Sequence, residues 1–166
     1  MDAPIKGRAW RFGDNVNTDV MAPGFAMGYP WEELKKVILH IHETFVACAG
    51  PGDVIVAGRN WGCGSSRENA PANLKRLGLG CVIAESFGRI YFRNSIALAF
   101  PAIVCPGISE HVNEGDELQL ELASARITNL TTNRSLRGEP LSADMLEILK
   151  MGGIVAALKK RLREGG

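Results

Sequence analysis

The sequence lacks several features that would place it in particular protein classes. Its N-terminal stretch, MDAPIKGRAWRFGDN, contains no apolar run, so no secretory signal is predicted. The most apolar stretch, residues 95–108, is too short to span a bilayer and is broken by Pro101. The formal net charge is only +1, which gives no indication of a nucleic-acid or anionic-membrane partner. We therefore expect a cytoplasmic protein that binds neither nucleic acid nor membranes.

Cysteine and histidine are also scarce. The four cysteines are far apart and form no Cys-x-x-Cys pair, and the three histidines have no zinc-binding spacing. Free thiols in a reducing compartment are the simplest interpretation. We therefore expect this chain alone to bind no metal.

The order of the apolar runs predicts an α/β fold. A chain of 166 residues with 46% apolar residues is long enough for one domain with a substantial core, taken here as residues 1–166. Short strands of the buried type alternate with helices in the middle of the chain, which favours parallel βαβ units. The C-terminal third alternates at every second residue, at Leu118, Leu120 and Leu122, which favours an antiparallel pair. The predicted architecture is a mixed parallel and antiparallel sheet with flanking helices.

The elements have the following predicted positions. One helix is expected to begin between Ser66 and Pro71. Ser65 and Glu68 fit a capping box, which favours an early start, whereas Pro71 favours a later one. The other helices are expected at residues 30–41 and 89–99 and, broken at Gly152–Gly153, within 142–166; strands are expected at 6–13, 53–58, 80–86 and 101–107, and the antiparallel pair within 116–132.

The stretch GRNWGCGSSRENA, residues 58–70, is the strongest candidate for a binding site. Gly62 and Gly64 let the backbone approach a ligand closely, and the start of the following helix adds partial positive charge. Arg67 adds a fixed charge whose forked donors suit a carboxylate. Ser65 and Ser66 would lie beside the bound anion. The alternative is a capped strand-to-helix connection with a surface arginine.

Three side chains are candidates for the chemistry. Cys63 is a possible nucleophile with a lowered pKa, but it needs a histidine base, and the histidines are remote in sequence. Ser65 is a possible base if donors stabilise its alkoxide. Asp19, in GDNVNTDVMAPG, is either an acid of the site or a turn former. The stretch around Ser65 matches neither the Gly-x-Ser-x-Gly elbow of hydrolases nor a Walker loop.

Three motifs together resemble a known family. GDNVNTDVMAPG, GRNWGCGSSRENAP and CVIAESFGRIYFRN, in this order and at this spacing, are similar to the small subunit of the 3-isopropylmalate dehydratase family, the swivel domain of the aconitase superfamily. The resemblance extends from about Gly7 to the C-terminal helices. It implies an aconitase-like swivel domain that is active only with a large subunit.

The resemblance also implies roles for individual residues. Ser65 would be the base that removes and returns a proton, and Asp19 would lie near the substrate hydroxyl. Ser66 and Arg67 would bind a substrate carboxylate. The [4Fe-4S] cluster would be held by the large subunit and not by this chain. Asn69 stands where many members of the family have histidine, a change that leaves the other motif residues in place.

The loop after Asp19 carries the expectation about substrate. No arginine occurs between Phe12 and Gly58, whereas aconitase uses an arginine of this region for the distal carboxylate of its substrate. An apolar loop suits an alkyl group better than a carboxylate that would lack a partner. We therefore expect a 2-alkylmalate substrate and a loop that faces solvent when the large subunit is absent. The residues of this expected specificity loop are Phe25, Ala26, Met27, Gly28 and Tyr29.

The expected function is that of a lyase of leucine and branched-chain amino acid biosynthesis. The reaction is the isomerisation of 2-isopropylmalate to 3-isopropylmalate by dehydration and rehydration. The alternatives are a methylmalate (citraconate-type) or 2,3-dimethylmalate dehydratase and a homoaconitase. Two alternatives belong to other classes, namely a non-catalytic carboxylate-binding module and a Cys63 hydrolase.

Overall fold

A mixed seven-stranded sheet organises the chain. The structure is a computed structural model, and it describes residues 3–64 and 67–165. The strand order is β4-β3-β2-β1-β5-β6-β7. The strands β1 to β4 pair in parallel, and β1, β5, β6 and β7 pair antiparallel. The strands are β1 Ile5–Arg11, β2 Val54–Ala57, β3 Cys81–Ala84, β4 Ala102–Val104, β5 Glu117–Glu121, β6 Arg126–Asn129 and β7 Arg134–Arg137.

Eight α-helices in the described residues connect or flank these strands. Helix α4 connects β2 to β3 and helix α5 connects β3 to β4, so the predicted βαβ units and the mixed sheet are confirmed. The helices are α1 Thr18–Met21, α2 Trp31–Leu34, α3 Glu43–Cys48, α4 Asn69–Arg76, α5 Arg89–Ala97, α6 Ile108–His111, α7 Ala143–Met151 and α8 Ile154–Glu164, with a 3-10 turn at Gly24–Ala26. No described helix is long and apolar enough to cross a membrane.

Both faces of the parallel half of the sheet are buried. Successive residues of a strand point to opposite faces, so a strand covered on both sides is apolar throughout. Every residue of Val54–Ala57 and of Cys81–Ala84 is buried. Val54, Val56 and Ile83 belong to one core cluster, while Ile55 and Val82 belong to the cluster on the opposite face. The two clusters fix the register of the strands, because a shift by one residue would exchange the faces.

Strand β1 joins the two halves of the sheet. Its C-terminal part, from Ala9 to Arg11, pairs in parallel with β2, and its N-terminal part, from Ile5 to Arg8, pairs antiparallel with β5. The close approach of neighbouring backbone requires glycine at position 7, because a Cβ there would lie 1.9 Å from the carbonyl oxygen of Gly52. The strand is therefore the element from which both the parallel and the antiparallel parts are built.

Three sequence-based predictions about elements need correction. The helix expected at 30–41 ends after Leu34. His40 lies in a turn, and His42 is the N-cap of α3. Leu39 has a φ of 56° and is fully buried, and its N–H donates to the Val20 carbonyl at 2.7 Å. Burial and this hydrogen bond override the helical spacing.

The other corrections concern the antiparallel part and the capping box. The expected pair within 116–132 is present as β5 and β6, but it is not the whole antiparallel part, because β1 pairs with β5 and β7 pairs with β6. Helix α4 begins at Asn69, inside the predicted interval, with Glu68 at the N-cap position, so Glu68 is not the third helical residue that a capping box requires. Pro71 falls in the first turn, as proline prefers. The break at Gly152–Gly153 is confirmed between α7 and α8.

A buried carboxylate anchors β1 to the start of β2. The Oδ2 atom of Asp53 accepts hydrogen bonds from Trp10 Nε1 at 2.8 Å, from the Gly50 N–H at 2.9 Å and from Arg8 at 3.3 Å. Burial raises the pKa of Asp53, but the hydrogen bonds from Trp10, Gly50 and Arg8 outweigh it, so the net pKa lies below the ordinary value. The ionised form therefore stabilises the folded state.

We expect Asp53→Asn to lower the free energy of unfolding at pH 7 by about 1–2 kcal/mol, because a charged acceptor is lost from three donors. Since the folded pKa is lowered, this contribution is present above the unfolded pKa of about 4 and is lost as the pH falls through the folded pKa. Urea unfolding at pH 7 and at about pH 3 measures the difference. The control is Asp144→Asn, whose carboxylate is 83% exposed. Equal effects at both pH values would contradict this account.

Candidate functional site

The pairing of β1 with β2 continues beyond both strands and brings two motifs together. The N–H of Phe12 donates to the Val56 carbonyl at 2.9 Å, and that of Asn15 donates to the Arg59 carbonyl at 2.8 Å. The Gly58 N–H donates to the Gly13 carbonyl at 3.2 Å. Further along, the Gly62 N–H donates to the Val16 carbonyl at 2.8 Å, and the Thr18 N–H donates to the Cys63 carbonyl at 2.9 Å. The segment 12–18 therefore lies beside the segment 56–63 up to the candidate site.

The next parallel strand supports this loop from its other side. The Trp61 N–H donates to the Ser86 carbonyl at 3.0 Å, and the Gly88 N–H donates to the Trp61 carbonyl at 2.8 Å. A Cβ at Gly88 would lie 2.7 Å from the Gly62 carbonyl oxygen. The start of the motif SFGRIYFRN therefore holds the glycine-rich loop in place through its backbone.

Gly62 and Gly64 have conformations that favour glycine. Their φ angles are +77° and +100°. A Cβ at Gly62 would lie 2.2 Å from Cγ of the buried Tyr91, and a Cβ at Gly64 would lie 2.7 Å from Oδ1 of Asn17. The loop therefore follows a path that only glycine can take.

Asp19 lies in the first turn of α1 and is exposed. Asn17 is the N-cap of this helix, and its Oδ1 accepts the Asp19 N–H at 2.8 Å. The carboxylate of Asp19 forms an ion pair with Arg67 at 3.3 Å. The structure thus brings together two residues that were predicted for the site from separate motifs and that lie 48 positions apart in the sequence.

Arg67 also anchors the loop that follows α1. One of its terminal nitrogens donates to the Ala22 carbonyl at 3.0 Å, and the guanidinium lies beside Gly24. Asn73, about one helical turn after the start of α4, donates to the Met21 carbonyl at 3.0 Å. The guanidinium is thereby held between Asp19 and the specificity loop, with its side chain 34% exposed.

A cavity of about 520 Å³ lies between the specificity loop and α4. Arg67 contributes charge to its wall, while Met27 and Leu34 contribute apolar surface. Ala26 is 1% exposed yet also borders the cavity. The complete lining is Ala22, Pro23, Ala26, Met27, Gly28, Leu34, Arg67, Glu68, Asn69 and Asn73.

The predicted specificity loop is divided by the structure. Ala26, Met27 and Gly28 border the cavity, whereas Phe25 and Tyr29 are not part of its lining. Phe25 is 64% exposed and contacts the His40 ring edge-on, with centroids 6.0 Å apart. Met27 is 79% exposed. Much of the loop surface therefore faces solvent in this chain.

Ser65 and Ser66, the predicted base and one of the predicted carboxylate-binding residues, lie outside the described residues. Their flanking positions, Gly64 and Arg67, are described and adjoin Asn17 and Asp19 respectively. Among the described residues, sequence reasoning missed Asn17, Leu34 and Asn73 at this site. The signal for Asn17 was an asparagine directly before Thr-Asp, which fits a helix N-cap as well as a turn.

The described cysteines and histidines provide neither a metal site nor a catalytic pair. No group of three or more metal-ligating side chains occurs in residues 3–64 and 67–165. Burial raises the pKa of Cys81 to about 12 and that of Cys105, with a further contribution from Glu85, to about 11. An iron–sulfur cluster requires several convergent thiolates, so the described residues do not fit one.

The histidines have other partners than Cys63. His42 Nε2 bonds Glu114 at 2.5 Å, His40 Nδ1 lies 3.0 Å from the Val37 carbonyl oxygen, and His111 Nδ1 lies 2.9 Å from that of Gly107. No hydrogen bond between a histidine and Cys63 occurs among the described residues. The geometry therefore gives no support to a cysteine hydrolase.

Comparison with known proteins identifies the family. Residues 43–104, from α3 to β4, match the Aconitase C-terminal domain family. The chain is 49% identical over 166 residues to the isopropylmalate/citramalate isomerase small subunit of Methanocaldococcus jannaschii, covering 99% of both chains. It is 42% identical over 160 residues to the 3-isopropylmalate dehydratase small subunit of Thermodesulfovibrio yellowstonii, covering 95% of each. The chain belongs to the 3-isopropylmalate dehydratase small-subunit family.

A solved structure and one further relative extend the comparison. The crystal structure of 3-isopropylmalate dehydratase from Methanocaldococcus jannaschii is similar to this small subunit with a TM-score of 0.89 and 38% identity, covering 98% of this chain and 99% of that one. The aconitase-like fold expected from the motifs is therefore confirmed. The methanogen homoaconitase small subunit of Methanothermobacter thermautotrophicus is 42% identical over 167 residues, covering 99% of this chain and 96% of the relative. Overall identity thus does not distinguish alkylmalate from homoaconitate relatives.

We expect Gly62→Ala to destabilise the small subunit by about 2 kcal/mol or more, because the added Cβ meets the Tyr91 ring and the backbone becomes strained. Chemical unfolding measures the loss. The matched control is Gly50→Ala, since a Cβ at Gly50 has no neighbour within 4 Å and its φ is not positive. Equal stability of the two variants would contradict the tight packing of the loop.

Proposed function

We propose that the chain is the small subunit of a heteromeric hydro-lyase that isomerises 2-isopropylmalate to 3-isopropylmalate in leucine biosynthesis. The observation that carries the proposal is the pairing of Asp19 with Arg67 at 3.3 Å, beside a cavity with an apolar wall, in a chain of this family. The whole chain acts as one swivel domain in the cytoplasm. The other half of the active site belongs to a large subunit.

Arg67 has the position and charge to bind a carboxylate. Its guanidinium is fixed on one side by the Ala22 carbonyl and borders the cavity, where a substrate carboxylate can accept hydrogen bonds from it. Ser66 assists it, as the family motif implies. A carboxylate held there brings the adjacent carbon close to the loop that carries Ser65.

Ser65 and Asp19 carry out the proton transfers. In the dehydration, Ser65 takes the proton from the carbon next to the bound carboxylate, and the hydroxyl on the neighbouring carbon leaves as water with a proton from Asp19. Addition of water with the opposite regiochemistry returns both protons and completes the isomerisation. The contact with Arg67 places Asp19 where the hydroxyl would lie. A substrate carboxylate that binds Arg67 replaces Asp19 as its partner, and Asp19 then carries the proton that it donates. A serine oxygen is a weak base, and the neighbouring cation and loop N–H groups stabilise its alkoxide.

The large subunit supplies what these residues lack. Enzymes of the aconitase family carry a [4Fe-4S] cluster that binds the substrate hydroxyl, and the described residues contain no ligand set for it. The cluster is therefore assigned to the large subunit. It follows that the isolated small subunit binds carboxylates weakly and has no turnover, and a non-catalytic module is disfavoured because Asp19 and Arg67 are already paired at the cavity.

The lining of the cavity selects the substrate. Met27 and Leu34 offer apolar surface for an alkyl group, and the specificity loop contains no arginine for a second distal carboxylate. A homocitrate-type substrate would leave that carboxylate unpaired. A second candidate is the 2-methylmalate (citramalate) reaction, favoured by the name of the 49% identical relative. Dimethylmalate would fit the same apolar wall.

We expect the complex with the large subunit, assayed anaerobically, to turn over 2-isopropylmalate and citramalate at least about 100-fold better in kcat/KM than homocitrate or citrate. The physical reason is the cost of an unpaired carboxylate against Met27 and Leu34. A panel of malates and tricarboxylates measures the ratio. Equal or better turnover of homocitrate would refute the alkyl-binding assignment.

We expect Ser65→Ala to lower kcat by at least about 1,000-fold with little change in the dissociation constant of the substrate, because the base is lost while the Arg67 contact remains. Rapid kinetics on the assembled complex measures both constants. Ser124→Ala, in the turn between β5 and β6, is the matched control and keeps full activity. A fully active Ser65→Ala enzyme would remove the assignment of the base.

A further inference from the structure

We infer that Asn17 is a positioning residue for this reaction, which keeps the Asp19 carboxylate in a fixed place relative to the loop that leads into Ser65. The inference rests on the proposed function. It concerns a side chain that contacts both segments of the site at once.

The first contact is with the helix that carries Asp19. Asn17 has an extended backbone, with φ −81° and ψ 150°, and its Oδ1 accepts the Asp19 N–H at 2.8 Å. Helix α1 has only four residues, so its own hydrogen bonds give it little stability. The cap therefore determines where α1 begins and, with it, the direction in which the Asp19 side chain leaves the helix.

The second contact is with the glycine that precedes Ser65. A Cβ built on Gly64 would lie 2.7 Å from Oδ1, 2.9 Å from Cγ and 2.9 Å from Nδ2 of Asn17, so the amide group lies flat against Gly64. The backbone joins the same two places, since Asn17 and Cys63 form a parallel bridge and the Thr18 N–H donates to Cys63. The half-buried Asn17 side chain thus fills the space between the two segments.

The chemistry of an amide suits this position. Its oxygen caps the helix, and its planar shape allows close contact with Gly64. Alanine would remove both contacts, and serine would keep the cap but leave the face of Gly64 uncovered. Aspartate would keep the cap and the planar shape. These three substitutions therefore separate the two contacts.

We expect Asn17→Ala in the complex with the large subunit to lower kcat by about tenfold or more and to change KM by less than about threefold, because Asp19 transfers protons but does not hold the substrate carboxylate. The matched control is Ser142→Ala, which removes the N-cap of the distant helix α7, where the Ser142 hydroxyl accepts the Met145 N–H at 3.2 Å. It keeps full kcat with a similar loss of thermal stability. Equal kcat losses in the two variants would overturn the inference.

A double-mutant comparison tests whether Asn17 acts through Asp19. In an Asp19→Ala background, the further loss of kcat on Asn17→Ala shrinks to less than about threefold. An undiminished further loss would assign Asn17 a general structural role and overturn the inference. If Asp19→Ala alone retained full activity, the proposed role of Asp19 would fail; normal kcat of Asn17→Ala beside an impaired Asp19→Ala enzyme would refute only the role of Asn17.

The remaining two variants keep the test decisive if Asn17→Ala does not fold. Asn17→Ser retains the cap and is expected to fold, yet to lose kcat, because the helix that carries Asp19 is no longer held against Gly64. Asn17→Asp is expected to recover kcat to within about threefold of the unmodified complex. A fully active serine variant, or an aspartate variant as impaired as the serine variant, would overturn the inference.

Discussion

The parallel pairing of β1 with β2 is the constraint on which the rest of the structure depends. It continues well past the ends of the two strands through backbone hydrogen bonds that are donated by the N–H groups of Phe12, Asn15, Thr18, Gly58 and Gly62. Each hydrogen bond contributes little net stability, but a buried backbone group without a partner is costly, so the register cannot change at one point alone. The two motifs of the candidate site are thereby held at a fixed spacing.

This fixed spacing allows two charged residues to pair at the surface of the molecule and not in its core. Asp19 and Arg67 meet at the rim of a cavity, with side chains 59% and 34% exposed. An exposed ion pair contributes little to stability. Its value here lies in orientation, since Arg67 is held by the Ala22 carbonyl and Asp19 by the helix that Asn17 caps. The arrangement fits half of an active site whose other wall belongs to a second chain.

Several elements could be predicted from the sequence because one local pattern determined each. The alternation of Leu118, Leu120 and Leu122 placed β5 and its inward face, and all three side chains are buried. Strand β7 was missed because Arg134–Arg137 contains only one apolar residue and so shows no apolar alternation. Edge strands often carry charged side chains in this way. The prediction of a helix over 30–41 was wrong in its second half, because Ile38 and Leu39 are fully buried in the core.

By itself, the sequence determined the fold class, the family and the residue types of the candidate site, because these follow from periodicity and from short motifs. The tertiary structure decided which of those residues meet. That Arg67 pairs with Asp19, that Met27 borders the cavity while Phe25 does not, and that Asn17 touches both segments depend on backbone hydrogen bonds between residues more than 40 positions apart. Such contacts leave no local pattern in the sequence, since they arise only when β1 and β2 lie side by side.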